Sequence, residues 1–226
     1  MTERILVINP NSSISCTDGI GAAVAGFAAP GLPRVDVTRL EDGPPAIVTW
    51  KEWYEVAAPL CARVQAERAD AYIIGCVSDP GLEAVRMATD KPVFGMLRCA
   101  VGAALTRGER FGIVAFMETS RPRQRRVLQS MGVEQRLSGY IPLNLPMETL
   151  TDPAAPRARL QAVAKELAAG GAEVIVLGCA GMAGHLKAAE DAAGVPVIEP
   201  SQAAVAQALM AVIAARGGGR LAAAAE

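Results

Sequence analysis

The chain has one histidine, His185, and its five cysteines include no Cys-x-x-Cys pair. That leaves no recognisable zinc site. An odd number of cysteines without paired spacing does not make a disulfide framework. No apolar run is long enough to span a bilayer. There is no Gly-x-Gly-x-x-Gly nucleotide loop. Charge of one sign is also missing: 22 Lys and Arg face 23 Asp and Glu, so neither a nucleic-acid stripe nor a polybasic membrane patch is expected. The one basic cluster, Arg121, Arg123, Arg125 and Arg126, reads as the solvated face of a helix. Met1-Thr2-Glu3-Arg4 leads straight into an apolar strand without a signal peptide, and a cytoplasmic chain is expected.

What the chain does have is hydrophobic content, 51 % over 226 residues, enough for one large or two small packed units. Strand-like runs alternate with helical patterns, which argues for parallel sheets joined by βα connections. The strands are expected at residues 4–9, 34–40, 71–76 and 91–96. The pattern then restarts, with strands at 110–116, 136–143, 173–179 and 195–198. Between them, helical spacing links Ile20, Val24 and Phe27; Trp53, Val56, Leu60 and Val64; Val127, Leu128 and Met131; Leu160, Val163, Ala164 and Leu167; and Val205, Leu209, Val212 and Ile213. Asp152-Pro153 reads as a helix start, and Gly217-Gly218-Gly219 as the end of the last helix. The fold class is therefore α/β, with two pseudo-symmetric lobes, each a four-stranded mainly parallel sheet flanked by helices. Residues 1–97 with 201–226 form the first lobe and 98–200 the second.

The two halves share landmarks. Cys76 and Cys179 stand 103 residues apart, Pro92 and Pro196 104, and Glu3-Arg4 and Glu109-Arg110 106. Three landmarks in one order at nearly one offset imply a duplicated unit. Each cysteine follows a glycine at the C-terminal end of a strand, where parallel sheets bind ligands. Asp79-Pro80 adds a helix-start signal after Cys76, with Asp79 as N-cap. One such cysteine alone reads as a packing residue. Two at matching positions, facing each other across a cleft between the lobes, can act on one ligand.

Two thiols flanking one carbon can invert it. A thiolate removes a proton from one face, and a thiol delivers one to the other. The intermediate enolate then needs fixed donors. The backbone N–H groups of Val77, Ser78, Ala180 and Gly181 are candidates, as are the loops containing Asn11, Ser12, Thr119 and Ser120. No cofactor or metal is required. A homo-oligomer acting on a small molecule is expected, with no nucleic-acid or membrane partner.

The runs Ile8-Asn9-Pro10-Asn11-Ser12, Gly75-Cys76-Val77-Ser78-Asp79-Pro80-Gly81-Leu82 and Leu177-Gly178-Cys179-Ala180-Gly181-Met182 resemble the aspartate/glutamate/hydantoin racemase superfamily, nearest its hydantoin and allantoin racemases. The resemblance covers about Ile5 to Pro200. It implies two pseudo-symmetric lobes, an active site in the cleft, and cofactor-independent racemisation by Cys76 and Cys179. Two segments depart from that branch: Gly95-Met96-Leu97-Arg98-Cys99-Ala100 replaces a Gly-x-Glu-Ala turn, and Phe116-Met117-Glu118-Thr119 replaces a Thr-rich loop. A 5-substituted hydantoin or allantoin is the expected substrate, with aspartate or glutamate as the alternative. An arylmalonate-decarboxylase-like or maleate-isomerase-like enzyme is the alternative, though the decarboxylases lack the first cysteine. A non-catalytic small-molecule binder is the reading from another class. Arg98 is expected to point outward, His185 to serve at the surface or in packing, and Cys16 and Cys61 to pack. Cys99 is expected near the cleft rim. Trp50, Trp53 and Tyr54 line an entrance or pack the first lobe, with packing favoured for Trp53.

Overall fold

The structure, a computed structural model, describes residues 3–145, 149 and 154–223, with side chains to residue 216. Two four-stranded sheets, every pairing parallel, carry the chain. The first contains β1 (Arg4–Asn9), β2 (Arg34–Arg39), β3 (Ala71–Ile74) and β4 (Val93–Gly95), in the order β2-β1-β3-β4. The second contains β5 (Phe111–Ala115), β6 (Leu137–Pro142), β7 (Val174–Gly178) and β8 (Val197–Ile198), in the order β6-β5-β7-β8. The orders are identical, as a duplication requires. The central strands β1, β3, β5 and β7 are almost wholly buried, which is why they read as continuous apolar runs.

The helices are α1 (Ile14–Val24), α2 (Trp50–Glu55), α3 (Ala57–Ala66), α4 (Leu82–Ala88), α5 (Met96–Leu105), α6 (Arg121–Ser130), α7 (Arg157–Ala169), α8 (Leu186–Ala193) and α9 (Pro200–Ala223). The stripe Trp53-Val56-Leu60-Val64 is buried as expected but spans two helices. Pro59 explains the break: its ring would clash with the Glu55 carbonyl in a continuous helix. Phe27 falls in a 3-10 turn, Ala25–Phe27, after α1. The last helix does not stop at Gly217-Gly218-Gly219 but runs on to Ala223. Glycine weakens a helix by about 1 kcal/mol per residue without forbidding it. The expected start at Asp152-Pro153 lies outside the described residues.

Three apolar clusters hold the molecule together. One outer cluster packs α2, α3 and α4 on the first sheet, and another packs α7 and α8 on the second. The third lies between the sheets and joins side chains of both halves through α1, α5 and α9. Helix α9 returns to the first half: Gln202 Nε2 donates to the Ala23 carbonyl at 3.1 Å, and Arg216 pairs with Glu3. The shared core fixes how the C-terminal ends of β3 and β7 meet.

Candidate active site

A small cleft of about 40 Å³ opens where those strand ends converge, lined from the first half by Asn11, Cys16, Cys76 and Val77 and from the second by Phe116, Ser120, Cys179 and Ala180. Larger grooves, such as one of about 830 Å³ beside β2, lie elsewhere and hold no thiol. Cys76 and Cys179 are half-buried, and each follows a glycine. A Cβ on Gly75 would sit 3.0 Å from the Asn9 backbone, and one on Gly178 2.7 Å from the Val114 carbonyl. Both glycines therefore exist because the neighbouring strand passes too close for any side chain.

The loop after Cys76 is staked at three successive residues. The Val77 carbonyl accepts from Gln124 Nε2 at 2.6 Å. The Ser78 carbonyl accepts from Trp53 Nε1 at 3.0 Å. The Asp79 carboxylate accepts from the Leu97 N–H at 2.8 Å and the Arg98 N–H at 3.1 Å. Asp79 was expected to cap the helix that follows it. Instead it adopts a left-handed backbone, φ 49°, and caps α5, while Gly81 precedes α4. Gly95 makes that possible, since a Cβ there would overlap the Asp79 carboxylate. Burial pushes the Asp79 pKa up to about 6 against the opposing pull of those two N–H groups.

The thiols sit in unequal fields. Burial raises the pKa of both. For Cys76 the rise is opposed by the Ser78 hydroxyl, 3.5 Å away, by the Ser78 N–H and by the Arg123 guanidinium, while Asp79 adds to it. For Cys179 only the Gly181 N–H opposes burial, and Cys16 and Cys76 push further upward. More groups therefore oppose the effect of burial at Cys76 than at Cys179.

Several expectations change. Arg123 does not belong to a solvated face: it is 2 % exposed, its Nε has no hydrogen-bond partner, and burial lowers its pKa. Arg125 and Arg126 do face solvent. Cys16 is buried as a packing residue but also lines the cleft, with its pKa raised to about 11 by burial first and Cys76 second. Cys99 is not at the rim. It lies 3 % exposed in the shared core, with burial raising its pKa to about 12. Arg98 points away from the cleft, its guanidinium 2.8 Å from Glu83 and 3.1 Å from the Ser130 hydroxyl. His185 is buried, off the cleft wall. Trp53 packs in the first half, and Trp50 and Tyr54 are exposed beside it.

Of the residues proposed from sequence, Asn11, Cys76, Val77, Ser120, Cys179 and Ala180 line the cleft. Ser78 and Gly181 sit behind the lining, directed at the sulfurs. Ser12 donates its N–H to the Pro44 carbonyl at 3.0 Å, and Thr119 is exposed on a 3-10 turn, so neither reaches the wall. Sequence reasoning missed Arg123 and Gln124. Helical spacing carried the signal, because both precede the apolar residues Val127 and Leu128 by four positions. Among the described residues no cluster of His, Cys, Asp and Glu could hold a metal ion, and no helix is long and apolar enough to cross a membrane.

A doubled α/β fold with a strand-end thiol from each half on a shared cleft defines the class: a two-lobed enzyme scaffold of the racemase type. The family model for Asp/Glu/Hydantoin racemase matches residues 5–208. The chain belongs to that family. It is 36 % identical to a hydantoin racemase of Paenarthrobacter aurescens, over 92 % of each chain. The solved allantoin racemase from Klebsiella pneumoniae superposes with a TM-score of 0.84 at 30 % identity, covering 94 % of this chain and 88 % of that one. An allantoin racemase from Pseudomonas fluorescens gives 0.83 at 28 %, over 91 % and 88 %.

Proposed function

We propose that this enzyme racemises a 5-substituted hydantoin or allantoin by two-base proton transfer between Cys76 and Cys179. The observation that carries the reading is the pair of thiols on one cleft, each at the end of an equivalent strand. The similarity to hydantoin and allantoin racemases supports the substrate class.

Cys76, as the thiolate, removes the α-proton of the enantiomer whose hydrogen faces it. Cys179, a thiol, delivers a proton to the opposite face. The roles then stand reversed, ready for the mirror substrate, so the two titrations belong to the pair. Charge develops on the carbonyl oxygen next to the carbanion. The N–H groups of Val77 and Ala180 and the Ser120 hydroxyl, on the cleft wall, stabilise it. Asn11 closes the floor: its Oδ1 accepts from Asn9 Nδ2 at 3.0 Å and from the Ser13 N–H at 2.9 Å, which locks the side chain.

The test is proton NMR in D₂O with hydantoins, allantoin, aspartate and glutamate offered separately. The α-proton signal should disappear with hydantoins or allantoin. Exchange with the amino acids alone would overturn the substrate class, and tight binding without any exchange would make the protein a binder instead.

A further inference from the structure

Gln124 is 2 % exposed and lies in the first turns of α6, in the second half of the chain. Its Nε2 donates to two carbonyls at once: Val77, the residue after Cys76, at 2.6 Å, and Gly178, the residue before Cys179, at 2.9 Å. Its Oε1 accepts from the Tyr140 hydroxyl at 2.8 Å. That last bond fixes which end of the amide faces the carbonyls. A single amide nitrogen thus ties together the two loops that present the thiols, one from each sheet.

We propose that Gln124, oriented by Tyr140, is a positioning residue that sets the separation of Cys76 and Cys179 across the cleft. The proposal rests on the two-thiol reading. Neither Gln124 nor Tyr140 lines the cleft, so neither meets the substrate. Proton transfer between two fixed sulfurs and one carbon is sensitive to spacing, and a misplacement of about 1 Å costs on the order of 10²-fold. Substrate affinity depends instead on the cleft wall, which Gln124 does not form.

The experiment compares kcat, KM and melting temperature for Gln124→Leu, Gln124→Glu and Tyr140→Phe against the parent enzyme. Gln124→Leu removes the donor at nearly constant volume. It should lower kcat roughly 10- to 100-fold with KM nearly unchanged. Tyr140→Phe should show the same split more weakly. Gln124→Glu supplies the distinguishing readout. As a carboxylate it repels both carbonyls, and as a neutral acid it donates to one. Its kcat relative to the parent should therefore rise as the pH falls, whereas the Gln124→Leu ratio stays flat. Should Gln124→Leu fail to fold, the Gln124→Glu ratio decides alone. Full kcat in Gln124→Leu, or a pH-independent ratio in Gln124→Glu, overturns the clamp. Cys76→Ala and Cys179→Ala run beside these variants keep the failures apart. If they still racemise, the two-thiol reading is lost and the clamp with it. If they are dead while Gln124→Leu is fully active, only the clamp is lost.

Discussion

The two halves solve one helix-capping problem with different residues. At the start of α5 the first-turn N–H groups of Leu97 and Arg98 are bound by Asp79, which reaches over from the Cys76 loop. At the start of α9 the equivalent N–H groups, Ser201 and Gln202, are bound by Glu199 at 3.1 and 2.7 Å. Glu199 occupies the place that Gly95 holds in the first half, and Met182 the place of Asp79. The carboxylate has moved between positions while the amides it serves have not. The same divergence governs the thiols. Ser78 stands where the second half has Gly181, so Cys76 receives both a hydroxyl and an N–H and Cys179 only an N–H. Duplication has kept the two strand ends and changed the groups around each sulfur.

Removing either thiol should have the largest effect. Cys76→Ala and Cys179→Ala are each expected to lower racemisation by at least about 10²–10⁴-fold, measured by polarimetry with enantiopure substrate. Unchanged turnover in either would break the equivalence of the halves.

The next effect concerns the caps. Asp79→Met alone strips two buried N–H groups of a partner and should cost about 2–4 kcal/mol in denaturant unfolding. Gly95→Glu alone forces a side chain onto Asp79. The double variant copies the second half into the first and should recover much of the loss. A double variant no better than the sum of its parts would show that the halves are not interchangeable. The cap also predicts a pH dependence. The folded pKa of Asp79, about 6, lies above the ordinary 3.8. The native state therefore holds a proton that the unfolded chain has released, and the stability from this group falls as pH rises from about 4 to about 6. Asp79→Asn should abolish that slope, which unfolding at a series of pH values would reveal; an unchanged slope would assign it to other groups.

A smaller effect should follow from Arg123→Leu. Loss of the cation moves the Cys76 pKa up, so the alkaline rise of kcat/KM shifts to higher pH. A profile unmoved by this change would deny Arg123 any hold on the thiolate. The smallest belongs to Cys16→Ser. This thiol lines the cleft but has no counterpart at the repeat position, and kcat should change by only a few-fold. A loss as deep as that of Cys76→Ala would make it a third participant.

Much of the molecule was readable from its sequence. Buried parallel strands announce themselves as short apolar runs, and Gly75-Cys76 and Gly178-Cys179 are marked by their shared offset. The doubled sheet order confirms that reading of the architecture. What could not be read depends on contacts distant in the chain. Asp79 looks like the cap of its own helix, because a local signal cannot show that Gly95 leaves room for it 16 residues further on. Arg123 looks like one more surface arginine beside Arg121, Arg125 and Arg126, because its charge outweighs its helical position. Gln124 carries no chemical signal of its own and gains its role from two carbonyls, 47 and 54 residues away.

The most direct measurement follows deuterium uptake from D₂O into each enantiomer separately, using the two single-cysteine variants. With Cys179→Ala, Cys76 alone should exchange the α-hydrogen of one enantiomer and leave its configuration intact. With Cys76→Ala, Cys179 alone should exchange only the opposite enantiomer. Exchange of the same enantiomer by both variants, or inversion by either, would contradict the placement of the two sulfurs on opposite faces of one carbon.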